Sequence, residues 1–248
     1  MKFKKVVFYN SNSNVPDYLK ISRKKFEVIK VVFDKEDDKL KEEIYRSAQN
    51  LAENTHDGAA NSSNQREYNT KLKDALAGEI SEKVSITLIN KNFGEGTANS
   101  TSFTTANGQI DIKLSNNKTI EVRSSCIRNG IDFALFSKNK YKLDEQYVDI
   151  LGPYSNSYKP DEIKKNYYLR VLYHCDKDNF LNYFNSDNFA AYIVGGATWD
   201  MMGNEELYQI KNLIPEGAAV RNKTNYRVIP IGKALDIMQL LEKVKQEL

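Results

Sequence analysis

Two short alternating segments joined by a few polar residues set the tightest limit on how this chain folds. In residues 109–114, Ile110, Ile112 and Leu114 alternate with Asp111 and Lys113; in residues 118–125, Ile120 and Val122 alternate with Glu121, Arg123 and Ser125. Side chains along a strand point to opposite faces in turn, so each segment has one apolar face, and the two strands of a hairpin must turn those faces to the same core. A two-residue turn at Asn116-Asn117 pairs Ile112 with Glu121 and sets a carboxylate on the apolar face. A three-residue loop instead pairs Ile112 with Ile120, Lys113 with Thr119 and Asp111 with Glu121. It also asks one Asn of the loop to adopt a positive φ. The pattern therefore predicts an odd-length loop and two carboxylates opposite each other across a ladder.

The rest of the chain reads around this hairpin. Strands are expected at 2–9, 26–33, 131–137, 146–151, 167–173, 190–194 (ending in Gly195-Gly196) and 226–230. Helices are expected at 35–53, where Leu40, Ile44, Ala48 and Leu51 recur at helical spacing, and from about 65 to 90, where Leu72, Leu76, Ile80 and Val84 step by four. Further helices are expected at 177–185, 205–213 and 234–247. Residues 54–64 and 92–107 are small and polar and read as loops. A long helix, a hairpin and then alternating strands and helices give an α/β or α+β chain with a mixed central sheet flanked by helices. At 248 residues it is expected to form a single domain.

Like charges directly opposite each other on a ladder repel. Asp111 and Glu121 make chemical sense together if a divalent cation lies between them. Hard oxygen donors at that separation suit Mg2+, with Mn2+ as the alternative, and such an ion keeps waters that a substrate phosphate can replace. Arg123 stays protonated and is no base; it is suited to orienting water or neutralising a phosphate. The plain alternative is a solvated hairpin face whose Asp, Lys, Glu and Arg form cross-strand ion pairs.

The pattern Asp111, nine residues, Glu121-Val-Arg123, on a hairpin after a long helix, resembles the PD-(D/E)xK nucleases, and among them the type II restriction endonucleases. The resemblance is clearest over residues 65–159. It implies a restriction-endonuclease-like core with Asp111 and Glu121 as the metal-binding carboxylates. It also implies a further acid from the preceding helix, for which both Glu79 and Glu82 qualify. Glu82 has the Gly-x-x-x-Glu spacing from Gly78, while Glu79 lies near Leu72 and Leu76 on the helical wheel. Arg123 stands where such enzymes usually carry lysine, and Lys113 is a candidate substitute on the same face. On this basis 1–248 is one nuclease domain, with 65–235 as its catalytic core and 1–60 as an N-terminal elaboration.

The implied activity is Mg2+-dependent hydrolysis of double-stranded DNA at a short specific sequence, by a homodimer with two active sites, alongside a cognate DNA methyltransferase. Two alternatives stay open: a sequence-independent repair or structure-specific nuclease of the same fold, and a catalytically inactive nucleic-acid-binding module. Arg66, Lys113, Arg128, Asn156 and Lys159 are the candidate DNA contacts. Net charge is only +3, so affinity for phosphates has to come from locally concentrated Lys and Arg rather than from bulk charge. Apolar runs at 6–9 and 31–33 fall far short of the ~20 residues of a membrane span. Two cysteines are too few for a disulfide framework or a cysteine zinc site. A cytoplasmic protein is expected.

Overall fold

A computed structural model describes residues 1–9, 25–55, 67–102, 109–127, 149–155, 162–213 and 224–248. The hairpin predicted from the sequence is present as β4 (Ile112–Leu114) and β5 (Thr119–Ile127), toward one side of the main sheet. Ile112 pairs with Ile120 and Lys113 with Thr119, the register that a three-residue loop dictates. Asn117 supplies the positive φ, at 67°. The loop closes through Asn117 N–H to the Leu114 carbonyl at 2.9 Å and Leu114 N–H to the Lys118 carbonyl at 2.8 Å. The ladder stops at Ile112, so Asp111 lies one residue outside it, in a bend.

The main sheet extends from this hairpin in both directions. β3 (Ala98–Ser100) pairs with β4 on one side; on the other, β5 runs parallel to β7 (Tyr167–Asp176), which is antiparallel to β8 (Ala190–Thr198). Beyond β8 come β2 (Lys25–Val32) and β1 (Lys2–Tyr9). A second, three-stranded sheet has the order β6 (Ile150–Ser155), β10 (Thr224–Ile229), β9 (Gln209–Leu213).

Each face of the main sheet has its own core. Ile29, Val31, Ile112, Ile120, Leu169, Val171 and Tyr173 pack with apolar residues of α1 (Asp38–Asn54), α2 (Tyr68–Phe93), α3 (Phe180–Phe184) and α5 (Ile237–Glu247). On the opposite face Val28, Tyr168, Leu172 and Val194 pack with Ile150 and Ile229 of the small sheet and with Met202 of α4 (Trp199–Gly203). β7 is buried on both faces and is accordingly an almost unbroken apolar run, as befits a central strand. The described residues thus form a mixed α+β structure, a central mixed sheet with helices against it.

Several expectations are corrected. Residues 205–213 are not helical: a turn organised by Asn204, whose Oδ1 accepts from Glu206 N–H at 2.9 Å, leads into β9, which pairs with β10. Asn favours such local turns over helix, and the strand pairing then satisfies the backbone even though Ile210 is left 58% exposed. Within the expected loop at 92–107, α2 runs on to Phe93 and β3 forms, because the Asn90 side chain bonds both the N–H and the carbonyl of Ala98 at 2.7 and 3.0 Å. Gly195-Gly196 does not end its strand; β8 continues to Thr198. A Cβ at Gly196 would lie 2.0 Å from the Tyr168 carbonyl oxygen, and one at Gly195 2.3 Å from that of Leu235, where the short β11 (Leu235–Asp236) crosses. The glycines are there for close approach of neighbouring strands. Of the strand expected at 146–151, residues 150 and 151 belong to β6, residues 146–148 fall outside the described residues, and so does the strand expected at 131–137.

Candidate functional site

The site is built where β4 and β5 part. Two residues past Ile120 of the last ladder pair, the N–H of Val122 has no strand partner on the β4 side, and Asp111 Oδ2 accepts it at 2.7 Å. This bond fixes Asp111 at the mouth of the divergence, with its second oxygen making no hydrogen bond among the described residues. Strand alternation then divides the neighbours. Ile120 belongs to the helix-side core and Val122 packs against it, so Glu121 and Arg123 project to the other face, toward the small sheet.

On the helix side a cavity of about 410 Å3 opens between α1, α2 and the stretch leading into β4. Asn50, Glu79, Glu82, Asp111 and Val122 are among its lining residues. A second cavity of about 350 Å3 beside it is lined by Glu43, Glu79, Glu82 and Glu95, with Lys83 as its basic residue. Burial, the Asp111 carboxylate and then Glu79 push the Glu82 carboxyl up to about 8. Burial and then Glu121 push Asp111 up to about 7, against the Val122 hydrogen bond and the cations Arg123 and Lys165, which pull it down. Of the two helical candidates, Glu82 is therefore the one whose carboxyl is unsettled by Asp111, while Glu79 lines the same space.

On the small-sheet side Glu121 lies in a cluster of charges. Arg123 Nη2 is 3.0 Å from Glu121 Oε1 and 2.6 Å from Glu162 Oε1. Lys165 Nζ is 3.1 Å from Glu121 Oε2 and 3.6 Å from Glu162 Oε1. The Glu162 and Lys165 side chains are 1% and 0% exposed, so among the described residues two acids and two bases meet here with little access to water. Tyr154 of β6 donates its backbone N–H to Glu162 Oε2 at 3.0 Å and stacks its ring under the Arg123 guanidinium, 4.7 Å from the centroid. Burial opposes the charge on Arg123, but Glu121 and Glu162 outweigh it and raise its pKa further.

The structure thus brings Asp111, Glu121, Arg123, Glu79 and Glu82 into one neighbourhood, split over two faces with Asp111 between them. Lys113 does not join: it is exposed on β4 and makes no ion pair among the described residues. Arg66, Arg128, Asn156 and Lys159 lie outside the described residues. Glu162 and Lys165 went unrecognised in the sequence. Their segment, Glu162-Ile-Lys-Lys165-Asn, reads as a charged linker ahead of the apolar β7. Its only signal is position: β5 pairs in parallel with β7 from Ile120 and Tyr167, so the residues just before Tyr167 lie beside the start of β5, from where the Lys165 side chain reaches Glu121.

Three carboxylates with hard oxygens, two of them held near neutrality by burial and by one another, have the chemistry that a divalent cation satisfies. Among the described residues, however, no group of three or more His, Cys, Asp or Glu side chains already converges to hold a metal ion. Both Glu121 oxygens face cations instead. Asp111, Glu121 and Glu82 offer hard oxygens of the kind that Mg2+ and Mn2+ prefer. No described helix is long and apolar enough to cross a membrane.

The chain is 27% identical to the uncharacterized protein MJECS01 of Methanocaldococcus jannaschii over 286 aligned positions, covering 97% of this chain and 92% of that protein. No family model matches the chain. No solved structure matches it.

Proposed function

We propose that this protein is a Mg2+-dependent endodeoxyribonuclease with a restriction-endonuclease-like core, cutting double-stranded DNA at a short specific sequence. The observation that carries the reading is the placement of Asp111. It sits where β4 and β5 diverge, between a strand carboxylate with two buried cations and a helical carboxylate, Glu82, across a cavity. The order α2, β3, β4, β5 and then a parallel β7 supports the same core. Asp111 and Glu121 would hold the cation, with Glu82 as the further acid. The ion, when bound, lowers the pKa of a coordinated water and offsets charge on a scissile phosphodiester.

The chain's own residues have separate tasks. Val122 N–H orients Asp111. Arg123, gripped by Glu121 and Glu162 and backed by Tyr154, stabilises the buried acids and keeps positive potential close to the phosphate. The acidic cavity repels a bare phosphate backbone, which makes binding of DNA at this point dependent on the cation. Two such sites are needed to cut both strands of a palindrome, hence the homodimer, and a cognate methyltransferase would protect host DNA.

A second reading, a catalytically inactive nucleic-acid-binding module, is favoured by one observation: both Glu121 oxygens are matched by cations without any metal. Incubating unmethylated AT-rich phage DNA with the protein and Mg2+, beside Glu121→Ala and a chelator, separates the two. Discrete bands lost in both controls are expected. A smear lost in the same controls points to a sequence-independent nuclease, and intact DNA with Mg2+-independent binding points to the binding module.

A further inference from the structure

Glu121 and Glu162 share the same two cations. Arg123 Nη2 touches both acids, at 3.0 and 2.6 Å, and Lys165 Nζ lies between them, 3.1 Å from Glu121 and 3.6 Å from Glu162. The two acids are not equivalent. Glu162 is anchored by the Tyr154 N–H and has a 1% exposed side chain, whereas Glu121 is the one next to Asp111. A shift of Lys165 Nζ by a fraction of an ångström exchanges its closer partner.

We propose that Lys165 and Glu162 are positioning residues that set how strongly Glu121 accepts a divalent cation. Lys165 is the internal counter-ion of Glu121, and Glu162 is the reserve anion that takes Lys165 and Arg123 over when a metal ion claims Glu121. The proposal rests on the reading of Asp111 and Glu121 as the metal-holding pair. Its physical basis is competition: one carboxylate cannot compensate the charge of an ammonium and a divalent cation together, and a buried ammonium cannot be released without another anion to receive it. Glu162 supplies that anion within the same cluster, so no buried charge is left alone in either state.

Competition predicts opposite signs for two substitutions in the same cluster. Lys165→Met removes the competitor and tightens Mn2+ binding by about threefold or more. Glu162→Gln removes the reserve anion, holds both cations on Glu121, and weakens Mn2+ binding by about tenfold. In the Lys165→Met background the Glu162→Gln effect shrinks, because the two residues act through each other. A cluster that only supports the fold behaves differently: both substitutions then weaken binding together with stability.

The test is Mn2+ titration of the full chain, followed by calorimetry, with thermal unfolding of each variant alongside. Lys165→Gln serves where Lys165→Met does not fold. Opposite shifts with non-additivity in the double variant are the expected result. Shifts of the same sign, or no shift in either variant, overturn the inference while Asp111→Ala still abolishes Mn2+ binding. Mn2+ binding that is absent, or indifferent to Asp111→Ala, overturns the metal-site reading itself, and this inference with it.

Discussion

Glu82→Gln tests the electrostatics of the cavity most cleanly, because the amide keeps the shape and removes the charge. Burial, Asp111 and Glu79 push the Glu82 carboxyl from its ordinary 4.5 up to about 8. An acid whose pKa is higher in the folded than in the unfolded state binds its proton more tightly when folded. Its contribution to stability is therefore intact below about pH 4.5, declines as pH rises toward 8, and is flat beyond. At about 1.4 kcal/mol per pH unit the full decline has a ceiling of about 5 kcal/mol. Glu82 is only partly buried, and part of the push comes from Asp111, itself raised to about 7, so solvent screening brings the expected decline to roughly 2 kcal/mol. Glu82→Gln has no such decline. The assay is urea unfolding in the presence of a chelator, at pH values near 5 and near 9, with the midpoint and slope compared for both proteins. The stability of the variant relative to wild type is expected to rise by roughly 2 kcal/mol between the two pH values. A gap that does not change with pH, or that moves the other way, refutes the reasoning.

Three further outcomes follow from the packing. Gly196→Ala places a methyl group 2.0 Å from the Tyr168 carbonyl oxygen and 2.8 Å from Leu240, and should cost about 3 kcal/mol in urea unfolding. Asn117→Val puts a β-branched residue at φ 67° in the β4–β5 loop and should cost about 1–2 kcal/mol, while Asn117→Gly stays close to wild type by the same measurement. Tyr173→Phe removes a buried hydroxyl that lies 2.7 Å from both Ser81 Oγ and the Ala77 carbonyl, and should lower stability by about 1–2 kcal/mol without changing the register of the sheet, as amide exchange in β7 would report.

The hairpin was legible in the sequence because its constraint is local: a period of two, one apolar face per strand and an Asn tolerant of positive φ leave a single register. The long helix was legible for the same reason, through apolar residues stepping by four from Leu72 to Val84. What was not legible depends on distant partners. β3 has no alternation of its own and exists because Asn90 and β4 hold it. In 205–213, Leu207, Ile210 and Leu213 have helical spacing, yet β10 claims the backbone. At the site, the residue types of Asp111, Glu121 and Arg123 were readable. Their division between two faces was not, because it follows from the ladder stopping one residue short of Asp111. Glu162 and Lys165 were hidden because lysine and glutamate before a strand ordinarily face water. Only the parallel pairing of β5 with β7 carries them inside, where each charge needs the others.

The proposed function requires that Asp111 and Glu121 together support metal-dependent cleavage of DNA. It is tested most directly by incubating unmethylated phage DNA with wild type, Asp111→Asn and Glu121→Gln in Mg2+, while DNA binding is followed by gel shift in Ca2+. Discrete fragments are expected from wild type alone, with binding retained by all three proteins. Cleavage that survives in Asp111→Asn, or that persists in a chelator, contradicts it.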